Sequence, residues 1–448
     1  MTGNMKYQKV IKYLVTAVCT QPFHIGSASG DQEEVLVHPV SNVPFIQASG
    51  LAGVLRQYYG KIHGEAQAAR LFGDIRSGEN TDSGSGASRV RFSDGLFSEE
   101  HLILELRPRV SIDPKTGTCA GSTIKGTDRQ AGHRFNTGYI GAGAEFGFSV
   151  YLYDDGFREE LEETFSAVHQ GNVQFGGQKS SGCGFMELKS LKRKAFDMKK
   201  AEDRRQWADE DSLGDDAYED IFHEMQTPAA SAAAYEVTVT GSTEGELLVK
   251  SIAVQDYGKD APDSMNIRNA AKEYIVPGSS LKGAVRSQME KIASYLGNGS
   301  VMEETFGETG NIVFFDAVVG NREDNDQAPV RSRIHLDKFT GGVIHGGLFN
   351  EKNVSGRVEF HMLVNDRNHP DSTCGLLLLA LRDMAAGLMS VGSGYGVGKG
   401  FIDVERIVIR DRKNHDTATI EWEKGVVTDT AGIVSRCMKA VHRGEAAG

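Results

Sequence analysis

The 448-residue sequence has few cysteines and no pattern among them. Cys19, Cys119, Cys183, Cys374 and Cys437 lie far apart without CxxC or CxH spacing, which argues against a zinc module or a disulfide framework and fits a reducing cytoplasm. No apolar run approaches the ~18 residues of a membrane span. Residues 1–18 are too interrupted by Lys, Tyr and Gln for a signal peptide, so a cytoplasmic protein with no membrane partner is expected. The GxxxxGK[ST] spacing of a Walker loop is missing, and no Ser-His-Asp or Cys-His arrangement suggests nucleophilic catalysis. Positive charge is not in excess: 61 acidic residues face 49 basic ones, for a net charge of −12. With 39% hydrophobic residues, the chain is neither a basic tail nor a disordered acidic protein.

Glycine, by contrast, is abundant. There are 53 in the 448 residues, well above the roughly 7% usual, so many backbone positions must turn sharply or approach something closely. At about 150 residues per domain the length suggests two or three domains, and the chain repeats itself. Arg109–Gly117 lies over Arg333–Gly341, and Phe45–Arg56 over Ile275–Arg286. Phe72-Gly73 matches Phe306-Gly307, Phe135-Asn136 with Glu145-Phe146 matches Phe349-Asn350 with Glu359-Phe360, and GGQKSSGCGF at 176–185 matches GSGYGVGKGF at 392–401. The preserved order indicates a tandem duplication. The expected organisation is a first repeat at 1–190, a charged linker at 191–233, a second repeat at 234–410 and a C-terminal extension at 411–448. Residues 209–224 hold eight carboxylates and no Lys or Arg, and read as a solvated linker or a weakly packed charged helix. The rest of the chain is then near neutral, which leaves a polyanion partner open.

Each repeat opens with a β-type stretch, Tyr13–Val18 and Tyr235–Thr240. A helix follows the Gly/Ser segment. In the second repeat Leu281, Val285, Met289 and Ile292 share one face of it, with Lys282 and Arg286 on another. Strands at Ile312–Phe315, Arg357–Val364 and Phe401–Val404, with the apolar stretch Leu376–Met389 before the last, predict an α+β sandwich of ferredoxin-like type, the architecture of RNA-recognition modules.

Several segments offer chemistry, each beside a plainer structural role. In Val276-Pro-Gly-Ser-Ser-Leu-Lys-Gly283, Gly278 permits close approach, Ser279 or Ser280 can cap the helix, and Lys282 and Arg286 stand ready for a phosphate; the plainer role is an N-cap on a surface helix. The glycine-rich segments with Lys179 and Lys399 suit a backbone lying against another chain, or a hairpin turn. The stretches from Arg109 and Arg333 read as hairpin arms with basic and aromatic groups (Arg331, His335, Lys338, Phe339), or as solvated strand edges. Asp256, Asp260 and Asp263, and in the first repeat Asp31, Glu33 and Glu34, occupy equivalent loops that could recruit Mg²⁺ or could simply be wet. His24 is a general base or a core histidine.

The combined script of HIGS, an Asp-bearing loop, YIVPGSSLKGAVR, FG, VFFDA, RSRIHLDKFTGG, LFNEKNVSGRVEF and GxGxGKGF resembles the CRISPR-associated RAMP superfamily. It is most similar to the backbone subunits of type III effector complexes and, with two units in one chain, to the fused backbone proteins of type III-D systems. The resemblance covers both repeats. It implies two tandem ferredoxin-like, RNA-recognition-motif-like domains, each with a thumb hairpin. It implies partners in a guide RNA, a target RNA and other effector subunits, and a metal-dependent endoribonuclease that cuts guide-paired target with loop aspartates and Mg²⁺ or another divalent cation. The family's D-x-P-h-h-R aspartate falls on Asp263, with Met265 in place of the proline. In the first repeat Gln47-Ala48-Ser49-Gly50 replaces P-G-S-S and Ala52 the lysine; Asp31 is the expected catalytic and metal-binding counterpart, with Glu33 second. The implied RNA contacts are Ser49, Arg56, Arg109, Lys179, Gly278, Ser279, Ser280, Lys282, Arg286, Arg333 and Lys399. Two other readings stay open: a non-catalytic RNA-binding scaffold, and a guide-processing endoribonuclease using His24.

Overall fold

The computed structural model describes residues 8–26, 34–73, 87–110, 121–123, 130–132, 134–226, 233–251, 262–307, 310–366 and 368–442. It divides into two compact units that do not follow a single cut. The first comprises 1–104, 139–177 and 183–232; the second takes 105–138 and 178–182 from the first repeat together with 233–448.

In the first unit β1 (Lys9–Cys19) runs antiparallel between β4 (Glu145–Leu152) and β5 (Met186–Asp197), and β4 also pairs with β2 (Val90–Phe92) and β3 (Gly95–Phe97). Alternation decides which face of β1 is buried: Ile11, Tyr13, Val15 and Ala17 point into the core. Against them pack α1 (Ala48–His63), through Leu51, Leu55 and Tyr59, and α2 (Arg158–His169), whose Phe165 meets Tyr13 edge-on at 5.5 Å. Each such fully buried side chain contributes about 1.5–3 kcal/mol.

The segment expected as a linker is folded. Helix Ala201–Ala208 lays Trp207 edge-on against Phe196 at 5.2 Å and Tyr151 at 5.7 Å, and Glu219–Asp220 extends the sheet beside β5. Tyr218, Ile221 and Met225 are buried. Large apolar residues interspersed among the carboxylates anchor it, a pattern that the run of charge conceals.

The second unit repeats the order. β6 (Tyr235–Glu244) is central; α3 (Gly278–Tyr295), β7 (Ile312–Phe314), β8 (Arg331–Leu336), β9 (Val343–Lys352), β10 (Arg357–Val364), α4 (Pro370–Ala385) and β11 (Phe401–Asp411) follow. The sheet order is β7-β10-β6-β11, all antiparallel, so strand, helix, two strands, helix, strand closes as a ferredoxin-like sandwich. Leu281, Val285 and Met289 are buried as the spacing predicts. α4 starts before the apolar stretch because Pro370 occupies its first turn, where no N–H is needed. Residues after 410 belong to this unit: β12 (Thr417–Glu421) and β13 (Val426–Thr428) widen the sheet, and α5 (Ile433–His442) packs on α4 at Gly375, where a Cβ would lie 2.5 Å from the Cys437 carbonyl oxygen. β8 and β9 form the thumb hairpin.

One polar centre orders the α3 end of this unit. Asp316 accepts the Gly278 N–H on Oδ1 at 2.8 Å and Arg107 Nη1 on Oδ2 at 2.6 Å. Arg107 is 6% exposed, and its Nε reaches Glu105 Oε2 at 2.7 Å; the other Glu105 oxygen takes the Ala270 N–H at 2.7 Å. Asp316→Ala leaves the buried guanidinium short of a partner and is expected to destabilise the second unit by about 3–5 kcal/mol. Leu348→Ala, on a side chain 61% exposed, should shift stability by no more than about 0.5 kcal/mol. Urea unfolding of the two variants checks the contrast.

Candidate nucleic-acid interface

The glycine–serine entry to α3 differs from its sequence reading. Pro277 is the N-cap, and neither Ser279 nor Ser280 caps; Ser280 donates its N–H to the Pro277 carbonyl at 2.9 Å. The cap is a side chain 38 residues downstream, Asp316. Packing alone requires glycine at 278, since a Cβ there would lie 2.0 Å from the Phe314 oxygen and 2.8 Å from the Ser181 oxygen. The first unit repeats the device: Asp94 accepts the Ala48 N–H at 2.7 Å at the start of α1. Sequence reasoning missed both carboxylates. The signal was available, because Arg91-Phe-Ser-Asp94 and Phe314-Phe-Asp316 each end a strand after the helix they cap.

Beyond that entry the second unit gathers cations. Lys282 donates to Ser180 Oγ at 2.7 Å, and burial, then the neighbouring charges of Arg286 and Arg109, hold its pKa below the usual lysine value. Arg109 lies over the Phe135 ring at 5.7 Å. Arg286 is half exposed, donates to Glu290 Oε1 at 2.7 Å and lies 5.6 Å from the Phe306 ring centre. Lys179 adjoins Ser180 in the turn Lys179–Ser181. The structure thus brings Arg109, the Lys179–Ser180 turn, Lys282 and Arg286 into one unit, where burial first and the two arginines second disfavour the lysine's charge, an environment that an anion would ease.

Other expected contacts are committed elsewhere. Lys399, 3% exposed, donates to Glu351 Oε2 at 2.6 Å and Asn353 Oδ1 at 2.8 Å. Arg333 Nε is 3.1 Å from the same Glu351 oxygen, and both cations line a pocket of about 180 Å³ with Lys250 and Phe349. In the first unit Ser49 is exposed, whereas Arg56 turns back onto the Gly73 carbonyl and 4.0 Å from Glu65. His24 is buried, its ring centre 5.4 Å from that of Tyr139.

Asp263 stands exposed at the foot of the thumb. Its Oδ2 accepts the Asn350 N–H at 2.6 Å, and the next residues, Ser264–Met265, pair in parallel with Glu351 and Lys352 of β9. Asp31, Glu33, Asp256 and Asp260 lie outside the described residues. Among the described residues no group of three His, Cys, Asp or Glu could hold a metal ion. The thumb presents Ile334, Leu336, Phe339, Val343 and Leu348 to solvent, Phe339 at 85%, a concentration of exposed apolar side chains of the kind found at interaction surfaces. Among the described residues no helix is long and apolar enough to cross a membrane.

No curated protein matches the sequence significantly. Among solved structures, a chain of the type III-B Cmr-beta complex bound to cognate target RNA matches at 16% identity with a TM-score of 0.31, over 41% of this chain and 61% of that one, so less than two thirds of the solved chain is spanned. The family model of the RAMP superfamily matches residues 16–187 and 258–403, most of both repeats and more than two thirds of the sequence. The two ferredoxin-like units are therefore tandem RAMP domains, and the chain belongs to the RAMP superfamily.

Proposed function

We propose that this protein is a guide-RNA-binding backbone subunit of a type III CRISPR effector complex, of the fused type III-D kind, that cuts guide-paired target RNA. The observation that carries the reading is the setting of Asp263: an exposed carboxylate at the foot of a solvent-facing apolar thumb, in a RAMP domain whose α3 end gathers cations. The guide backbone runs past Lys282 and Arg286, and the thumb splays the target out of helical geometry. The target's ribose 2′-OH then attacks the adjacent phosphorus: the 2′-O–P bond forms, the P–O5′ bond breaks, Asp263 orients the hydroxyl and accepts its proton, and the leaving O5′ takes a proton from water. The products are a 2′,3′-cyclic phosphate and a 5′-hydroxyl end. Cations of the site stabilise the phosphorane. Asp31 plays the same part in the first repeat.

A divalent cation belongs to this reading, but among the described residues no group of three His, Cys, Asp or Glu could hold one, and one oxygen of Asp263 is already engaged by Asn350. That same hydrogen bond favours a second reading, a non-catalytic scaffold in which Asp263 holds the loop to the thumb. Burial of His24 gives the guide-processing reading no support.

Asp263→Ala should abolish one target cut in the assembled complex while the guide stays bound; an unchanged set of products leaves the scaffold reading standing. Chelation by EDTA should suppress all cuts, with Mg²⁺ restoring them.

Lys282→Ala with Arg286→Ala should weaken guide binding irrespective of guide sequence, and lower the slope of log affinity against log salt by up to about one unit per lost phosphate contact. Arg56→Ala, removing a guanidinium already held by Gly73, should change it less. Binding across a salt series decides both.

A further inference from the structure

The first unit's sheet has a second face, opposite α1 and α2. On it the register sets Val10 across from Phe196, Lys12 across from Lys194 and Leu14 across from Lys192, with Tyr151 on the other side of Lys12 and Arg91 beyond Tyr151. The Arg91 guanidinium lies 4.2 Å and the Lys12 ammonium 5.4 Å from the Tyr151 ring centre, and Lys194 Nζ lies 5.7 Å from that of Phe196. Rings interleaved with cations on an open antiparallel sheet are the chemistry that stacks bases and neutralises phosphates of a single strand.

This face is covered by the chain's own acidic segment. Glu210 Oε2 lies 3.4 Å from Lys12 Nζ while its Oε1 accepts the Tyr151 hydroxyl at 3.1 Å. Asp215 accepts Lys192 at 2.9 Å, and the Ala217 carbonyl accepts Lys194 at 3.3 Å. Trp207 packs edge-on against both Tyr151 and Phe196, blocking both rings where a base would stack. On the outside Asp209, Asp211, Asp216 and Asp220 are exposed and repel polyanions. Where Tyr13 faces Val150 in the first unit Tyr235 faces Val364 in the second, which sets Ala234 and Asn365 at the places of Lys12 and Tyr151, so the second unit lacks this cation–ring pair.

We propose that the first unit carries a single-stranded RNA-binding face, and that residues 201–220 occupy it as a built-in competitor that RNA must displace. An aromatic side chain and a set of carboxylates stand in for base and phosphate. The inference rests on the RNA-binding reading only in its choice of ligand.

The test uses the full chain and a fluorescein-labelled 20-nucleotide oligouridylate, followed by anisotropy across a salt series. The variant W207A/E210Q/D215N should bind about tenfold tighter than the unaltered chain, the scale of one freed ring stacking on a base, and with a steeper salt dependence. Adding K12Q/K194Q should remove the gain. If loss of Trp207 unfolds the unit by circular dichroism, E210Q/D215N alone, which keeps the apolar anchor, should still give about a threefold gain, the scale of one uncovered phosphate contact. A folded variant that binds no tighter, or a gain that survives K12Q/K194Q, overturns the proposal. Loss of guide binding by the Lys282/Arg286 variant is measured independently, so a failure here is distinguishable from a failure of the proposed function.

Discussion

The α3 end of the second unit depends on one carboxylate shared between two donors. Arg107 is too buried to remain charged without partners, and Glu105 and Asp316 supply them. Because the other Asp316 oxygen holds the first N–H of α3, neutralising the arginine and starting the helix are the same event. Three stretches distant in sequence, around 105, 278 and 316, are fixed together. Gly278 can then press against the Phe314 carbonyl, and Lys282 arrives beside Ser180 with its charge disfavoured by burial and by two arginines. The candidate phosphate site is a consequence of that centre.

Charge in this protein is placed rather than averaged. A net charge of −12 coexists with cation clusters in both units, because acidic groups are set on particular cations. Glu351 takes Lys399 in the pocket beside the thumb, and Glu210 takes Lys12 on the first unit's sheet. Lys282, buried beside Arg286 and Arg109, is instead a cation whose charge an added anion would favour. An isoelectric point of about 5.6 says little about either site.

The thumb supplies the opposite kind of surface. Its apolar side chains stand in water on a hairpin, Phe339 most of all, which is a costly arrangement unless something covers them. Asp263 is bonded to the foot of this hairpin, so the placement of the carboxylate depends on the hairpin's backbone.

The duplication, the α+β order, the helix face of Leu281, Val285 and Met289, and membership of the RAMP superfamily were all legible in the sequence, since each is written in local periodicity or in motifs a dozen residues long. Which cation meets which carboxylate was not. Arg107 and Asp316 are 209 residues apart and Lys399 and Glu351 are 48 apart, and no period reports such pairings. For the same reason Ser279 and Ser280 read as caps when the cap comes from a later strand, and 191–233 reads as a linker when Trp207, Tyr218 and Ile221 fold it onto the sheet. Local sequence determines which face of an element is apolar; only the packed chain decides what each polar group must do once water has been removed from around it.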